Sequence, residues 1–389
     1  MDKQKIITHT IIGMALYLIA TGSSYAVFTY IIPHKNVNVA EVPVNPDQDQ
    51  SEIDPSIPRT EECPLNGKMY TDMERQLWEK RRPLAVMIEN HEESRPQSGV
   101  SRADVVYEAV AEGGITRFMA VFYCGVYQDT LIAPVRSART YYLPWVLEYD
   151  ALYNHVGGAG LCHDPTVDER AKALCQVQQY KIKDMDQFGI SFPTCYRNYD
   201  RLDHPVATEH TMVCSTEKLY NVASERGWSN VDAKGVAWDK NFKSWKFIDD
   251  AKVAERGASF SASFTAWEGY ANSYGVSWQY DPATNSYKRK NGGVPHLDLE
   301  TDRQIGAKNV VILFAKETGP VDEHKHLLYT NIGTGEAIVF QNGVVLEGTW
   351  RKTDRSARTI FYDTKGREIP FVRGQIWIEM LPIGTTVDY

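Results

Sequence analysis

The chain has 389 residues, 43% of them hydrophobic and 11% aromatic, with 42 Lys+Arg against 50 Asp+Glu and a formal net charge of −8. That length allows two or three domains with a sizeable core. A charged fraction of 24% and a mean hydropathy of −0.40 exclude a disordered chain and a multispan membrane protein. There is no basic surplus to neutralise phosphates, so nucleic acid is not an expected partner.

Residues 6–32 carry no Asp, Glu, Lys or Arg. As a helix they would reach about 40 Å, enough to cross a hydrocarbon core of ~30 Å with some tilt. Lys3 and Lys5 precede the run and an acidic flank follows it, which predicts a cytoplasmic tail at 1–5, a single transmembrane anchor at 6–32, and the remainder outside the cell membrane. A cleaved signal peptide is the competing reading, since Ser24-Tyr25-Ala26 fits a small-x-small site. The apolar run continues to Ile32, which favours the anchor. Residues 41–62 hold seven acidic residues, one basic residue and four prolines. Such a stretch predicts an extended, solvated spacer, and the whole of 33–81 reads as tether and lead-in.

Six cysteines, at 63, 124, 162, 175, 195 and 214, all lie beyond the apolar run. An even number in an exported segment predicts disulfides, with fifteen possible full pairings. Proximity favours Cys162 with Cys175 and Cys195 with Cys214. No C-x-x-C occurs, and no metal site or cofactor is expected.

Residues 82–228 mix strands and helices. The stretches 84–89, 104–110 and 115–122 are apolar on both faces and predict central strands covered by helices. A helix is expected over 138–149, a short strand over 151–156, and a helix to Glu225 capped by Ser215. Residues 229–389 change grammar. Short segments rich in Val, Ile, Phe, Tyr and Trp alternate with turns, and Gln341-Asn342-Gly343 is a strong hairpin signal. The fold class is therefore α+β: a mixed α/β domain with a central sheet, then a mostly β domain of barrel or sandwich type.

The candidate chemistry falls between 89 and 160. Glu112, before Gly113-Gly114, sits on a turn at a strand end where a carboxylate can reach a cleft; Glu108 lies on the strand before it. Arg117 interrupts an apolar strand, where it either pairs internally with a glutamate or holds an anion. Arg136 and Arg139 flank Ser137 at a strand-to-helix junction and could fork a carboxylate or phosphate, with helix N–H groups beginning near Ser137. Arg95 lies in a polar, glycine-bearing loop beside a buried strand. His155 precedes Gly157-Gly158 at a strand end, a position suited to a general base or to a satisfied structural histidine. His204 and His210 are too far apart in sequence to assign.

The segments RPQSGVSRADVVYE at 95–108, EGGITRF at 112–118, PVRSAR at 134–139 and HVGG at 155–158 closely resemble the YerB-like family of bacterial envelope proteins. GTGEAIVF at 333–340, GTWRK at 348–352 and GQIWI at 374–378 resemble that family's C-terminal domain. The likeness spans about 82–382. It implies an exported, two-domain protein and no established activity. There is no lipobox cysteine here, and a transmembrane segment stands in its place. Two functions are expected from these features: binding of a cell-wall polymer or envelope protein, or hydrolase or transglycosylase-like cleavage of envelope glycan with Glu112 as acid/base, assisted by Glu108.

Overall fold

The structure, a computed structural model, describes residues 56–258 and 260–389. The expected anchor at 6–32 and residues 33–55 of the expected tether lie outside the described residues. Among the described residues no helix is long and apolar enough to cross a membrane.

The fold begins earlier than the expected end of the spacer. Glu61–Glu62 pairs antiparallel with Met69–Tyr70, and Arg59 pairs with Glu74 at 3.1 Å. Helix α1 (Asp72–Trp78) follows, started by a capping box in which Thr71 and Glu74 satisfy each other's backbone N–H groups. Composition hid this segment, because its acidic residues make structural pairs instead of repelling one another in solvent.

In chain order the main strands are β1 (Leu84–Glu89), β2 (Val105–Val110), β3 (Thr116–Phe122), β4 (Leu152–His155) and β5 (Lys183–Asp186). The later ones are β6 (Ser261–Phe264), β7 (Val276–Asp281), β8 (Ser286–Asn291), β9 (Asn309–Thr318), β10 (Gly333–Gln341), β11 (Val344–Lys352), β12 (Ile360–Asp363) and β13 (Ile376–Pro382). The remaining α-helices used below are α2 (Leu143–Glu148), α3 (Ala173–Gln179) and α4 (Thr216–Glu225). The predicted helix over 138–149 is shorter than expected. It opens with a 3-10 turn at Thr140–Tyr142, so Ser137 lies before the helical segment and not at its N-terminus.

The chain is a two-domain α+β protein, mostly sheet with few helices, yet its two halves share one sheet. The strand path is β12-β11-β10-β9-β13-β2-β3-β1-β4-β5. The join is the last long strand, β13, which lies parallel to both β9 and β2, with Glu379 beside Glu108. Both faces of the central strands of this sheet are buried, which is why β2 and β3 carry no solvent-facing polar stripe. On one face, Tyr107 and Ile378 pack with Trp145 of α2 and Val177 of α3. On the other, Val106 and Trp377 pack with Leu219 of α4 and with a second, six-stranded sheet built around β6, β7 and β8. Trp278 of β7 meets Trp377 of β13 at 5.3 Å between ring centroids, so the C-terminal half is sandwich-like.

Three disulfides staple the fold: Cys63–Cys124, Cys162–Cys175 and Cys195–Cys214. Beside the first, the buried Asp104 carboxylate accepts from the N–H groups of Tyr123 and Cys124 at 2.7 and 2.9 Å and from Asn66 at 2.7 Å. Burial outweighs these donors and pushes its pKa up to about 6. The native state then holds a proton that the unfolded chain releases near pH 4, so this group's contribution to stability falls as pH rises from about 4 to about 6 and is level above that. Urea midpoints measured across that window should decline more steeply in the native chain than in Asp104→Asn. Parallel curves would refute the assignment.

Candidate functional site

The sharp turn after β2 carries Glu112. Gly113 and Gly114 both adopt positive φ, at 59° and 75°, which lets the chain reverse and brings the carboxylate back over β3. There it meets two guanidinium groups. Arg117 Nη2 donates to one oxygen at 3.1 Å, and Arg139 Nε donates to the other. Arg117 also donates to the Ser137 carbonyl at 3.1 Å, and Arg139 to the Ala138 carbonyl at 2.7 Å. Burial alone would raise the Glu112 pKa, but the two arginines prevail and hold it below the usual carboxylate range. Arg136 and Arg139 therefore do not form a fork. The chain from Arg136 to Arg139 is not helical, and the two side chains reach different carboxylates.

Arg136 is anchored at Nε, 2.8 Å from Glu89 at the end of β1. The other oxygen of Glu89 lies 2.7 Å from Nδ1 of His210, a buried imidazole on a 3-10 turn (Thr208–His210). His91 stacks on the His210 ring with centroids 4.8 Å apart. Glu112, Arg117 and Arg136 line one side of an open cleft of about 410 Å³; Glu89, His91, Glu93, Glu209 and His210 line the rest. Ser137 and Arg139 stand directly behind Glu112.

The other sequence candidates lie elsewhere. Glu108 is buried on the sheet face that carries Trp377, and both its oxygens accept from Arg289 Nη2 at 2.9 and 2.8 Å. His155 is fully buried, with Nδ1 2.8 Å from the Gly157 carbonyl and Nε2 3.0 Å from Asp184. Arg95 ties the two halves together, donating to Asn90 and, at 2.7 Å, to the Ser273 carbonyl. Sequence reasoning missed Glu89, His91, Glu93 and Glu209 and left His210 unassigned. A glutamate closing an otherwise apolar strand and a lone histidine 121 residues away give no spacing signal; only the tertiary fold unites them.

The comparisons with known proteins agree with this architecture. Residues 68–229 match the family described as protein of unknown function (DUF3048), N-terminal domain, and residues 266–378 match its C-terminal domain. The chain belongs to this two-domain family. It is 28% identical over 304 residues to the Bacillus subtilis (strain 168) protein named "Putative lipoprotein YerB", covering 78% of this chain and 82% of the relative. It is also similar to the crystal structure of Bacillus subtilis YerB, with a TM-score of 0.66 and 26% identity, covering 85% of this chain and all of that one.

Proposed function

We propose that the chain is a membrane-anchored, extracytoplasmic binding protein whose Glu112–Arg136 cleft takes a polar or anionic group of a cell-wall polymer or an envelope protein. The observation that carries this reading is the side-chain arrangement in the cleft. Arg136 keeps a quarter of its side chain exposed there, whereas the Glu112 carboxylate is already satisfied by Arg117 and Arg139. A rim guanidinium recognises carboxylates and phosphates through directional, charge-assisted bonds. Support for the location comes from the apolar run at 6–32, the three disulfides, which suit an oxidising compartment, and a relative named as a lipoprotein.

Hydrolysis with Glu112 as general acid has less support. A general acid needs a raised pKa, and the arginines work in the opposite direction. Glu108 offers no assistance from its buried pair with Arg289.

The test is co-sedimentation of the purified full-length chain with isolated cell-wall sacculi. Arg136→Ala should weaken retention by about tenfold or more, as befits loss of a charge-assisted contact. Unchanged retention would refute the cleft as the binding surface. Release of soluble fragments, lost in Glu112→Gln, would favour the enzyme instead.

A further inference from the structure

We infer that the same cleft holds a transition-series divalent cation, zinc being the probe of choice, on His210, Glu93 and His91, with Glu89 orienting His210. One donor atom from each of the three ligands lies within 4.8 Å of the others.

Glu89 is the fixed point of the cluster. Its carboxylate is buried, pairs with Arg136 through one oxygen, and sits 2.7 Å from His210 Nδ1 through the other. An ionised carboxylate only accepts, so Nδ1 carries the hydrogen and a neutral His210 presents its lone pair at Nε2. That nitrogen faces Glu93 Oε2 at 3.6 Å. Two lone-pair atoms at that separation repel unless something positive lies between them. Around tetrahedral zinc, with metal–ligand distances of about 2.0–2.1 Å, neighbouring ligand atoms stand roughly 3.4 Å apart. The His210–Glu93 pair is therefore already near the spacing a metal imposes. The Glu89–His210 contact is the carboxylate–histidine arrangement that fixes the tautomer and raises the basicity of a ligating imidazole.

His91 completes the set from the rim. Its Nδ1 accepts one weak bond from the Glu93 N–H at 3.2 Å, and the ring is only half-buried, so turning it toward the metal gives up little. Two imidazoles and one carboxylate suit zinc, cobalt or nickel over magnesium or calcium. Arg117 and Arg136 line the same cleft, so a bound metal would share it with the anionic group proposed above. The inference shares that cleft but does not depend on any polymer binding there.

The experiment is equilibrium dialysis of the untagged full-length chain, stripped by chelator, against zinc, with cobalt as a spectroscopic substitute. One zinc per chain and a cobalt absorption band typical of a four- or five-coordinate site are expected, with no competition from magnesium. His91 and Glu93 are surface residues, so the variants His91→Ala and Glu93→Ala should fold. Each should weaken zinc binding, and the double variant should abolish it. Glu89→Gln should cost about 10–100-fold in zinc affinity. If the native chain holds no more zinc than the double variant, only a proton occupies the His210–Glu93 gap and the inference is overturned. Zinc held by a chain that does not sediment with sacculi would remove the binding reading and leave this one; sedimentation without zinc would do the reverse.

Discussion

Replacing Arg289 by methionine is expected to cost ~3–5 kcal/mol of stability, the range for leaving one member of a buried ion pair without its partner. Glu108 and Glu379 stand side by side on the parallel strands β2 and β13. Arg289 of β8 reaches them from the facing sheet. Burial and the adjacent Glu108 push the Glu379 carboxyl far above the usual range, so Glu379 keeps its proton beside the Glu108–Arg289 pair. Thr116 donates to Glu108 at 2.7 Å and Trp377 at 3.2 Å, and Trp278 donates to Glu379 at 3.1 Å. These neutral donors remain in Arg289→Met, but none of them supplies a charge. By contrast, Glu379→Gln exchanges one neutral side chain for another of the same shape and should be close to neutral. Urea denaturation would show the first variant with a much lower midpoint and an unchanged slope. Equal losses in the two variants would refute the proton assignment.

A second loss of about 3–5 kcal/mol is expected for Glu148→Ala, on the opposite face of the sheet. Glu148 ends α2 in the N-terminal half, and its partners belong to the C-terminal half. It accepts from Lys352 Nζ at 2.8 Å, Arg358 Nη1 at 2.9 Å and the Thr359 N–H at 3.1 Å. All three charged side chains are almost wholly buried. Arg358 also lies over Trp245 at 3.4 Å and Tyr149 at 4.5 Å, which softens its isolation once Glu148 is removed. Among the described residues Lys352 lies over no ring; without Glu148 its ammonium would keep only neutral acceptors, the Pro144 carbonyl at 3.2 Å and the Ala357 carbonyl. Burial already lowers its pKa, and without Glu148 the native state would bind its proton more weakly still. The unfolded chain then holds more protons than the native one, so as pH rises toward the ordinary lysine value of about 10.4 the variant's stability should rise more steeply than the native chain's. Thermal melts across that range would show it, and a flat difference would refute it.

Much of the fold was legible in the sequence. The stretches 84–89 and 115–122 read as central strands because both faces are apolar, and they are β1 and β3. Ser215 marked α4 by its hydroxyl, which accepts from the Lys218 N–H, and Gln341-Asn342-Gly343 marked the β10–β11 hairpin. The shared sheet was not legible, because parallel pairing of β2 with β13 leaves no local trace. Of the candidate site, Glu112, Arg117 and Arg136 were found because charged residues beside glycines or inside apolar strands are locally conspicuous. Glu108 and His155 looked equally conspicuous and prove to be buried partners of Arg289 and Asp184. Nothing local distinguishes a carboxylate that needs a buried partner from one that faces a cleft.

The position of β13 also sets an order of events for the growing polypeptide. β2 is made early, yet one of its edges stays unpaired until residues 376–380, far later in the chain, arrive to fill it. Throughout that interval the N-terminal half presents a row of open amides and carbonyls, a template for pairing with another chain. The N-terminal half alone is therefore an incomplete folding unit, and a chain shortened before residue 376 loses not a peripheral strand but the centre of its sheet.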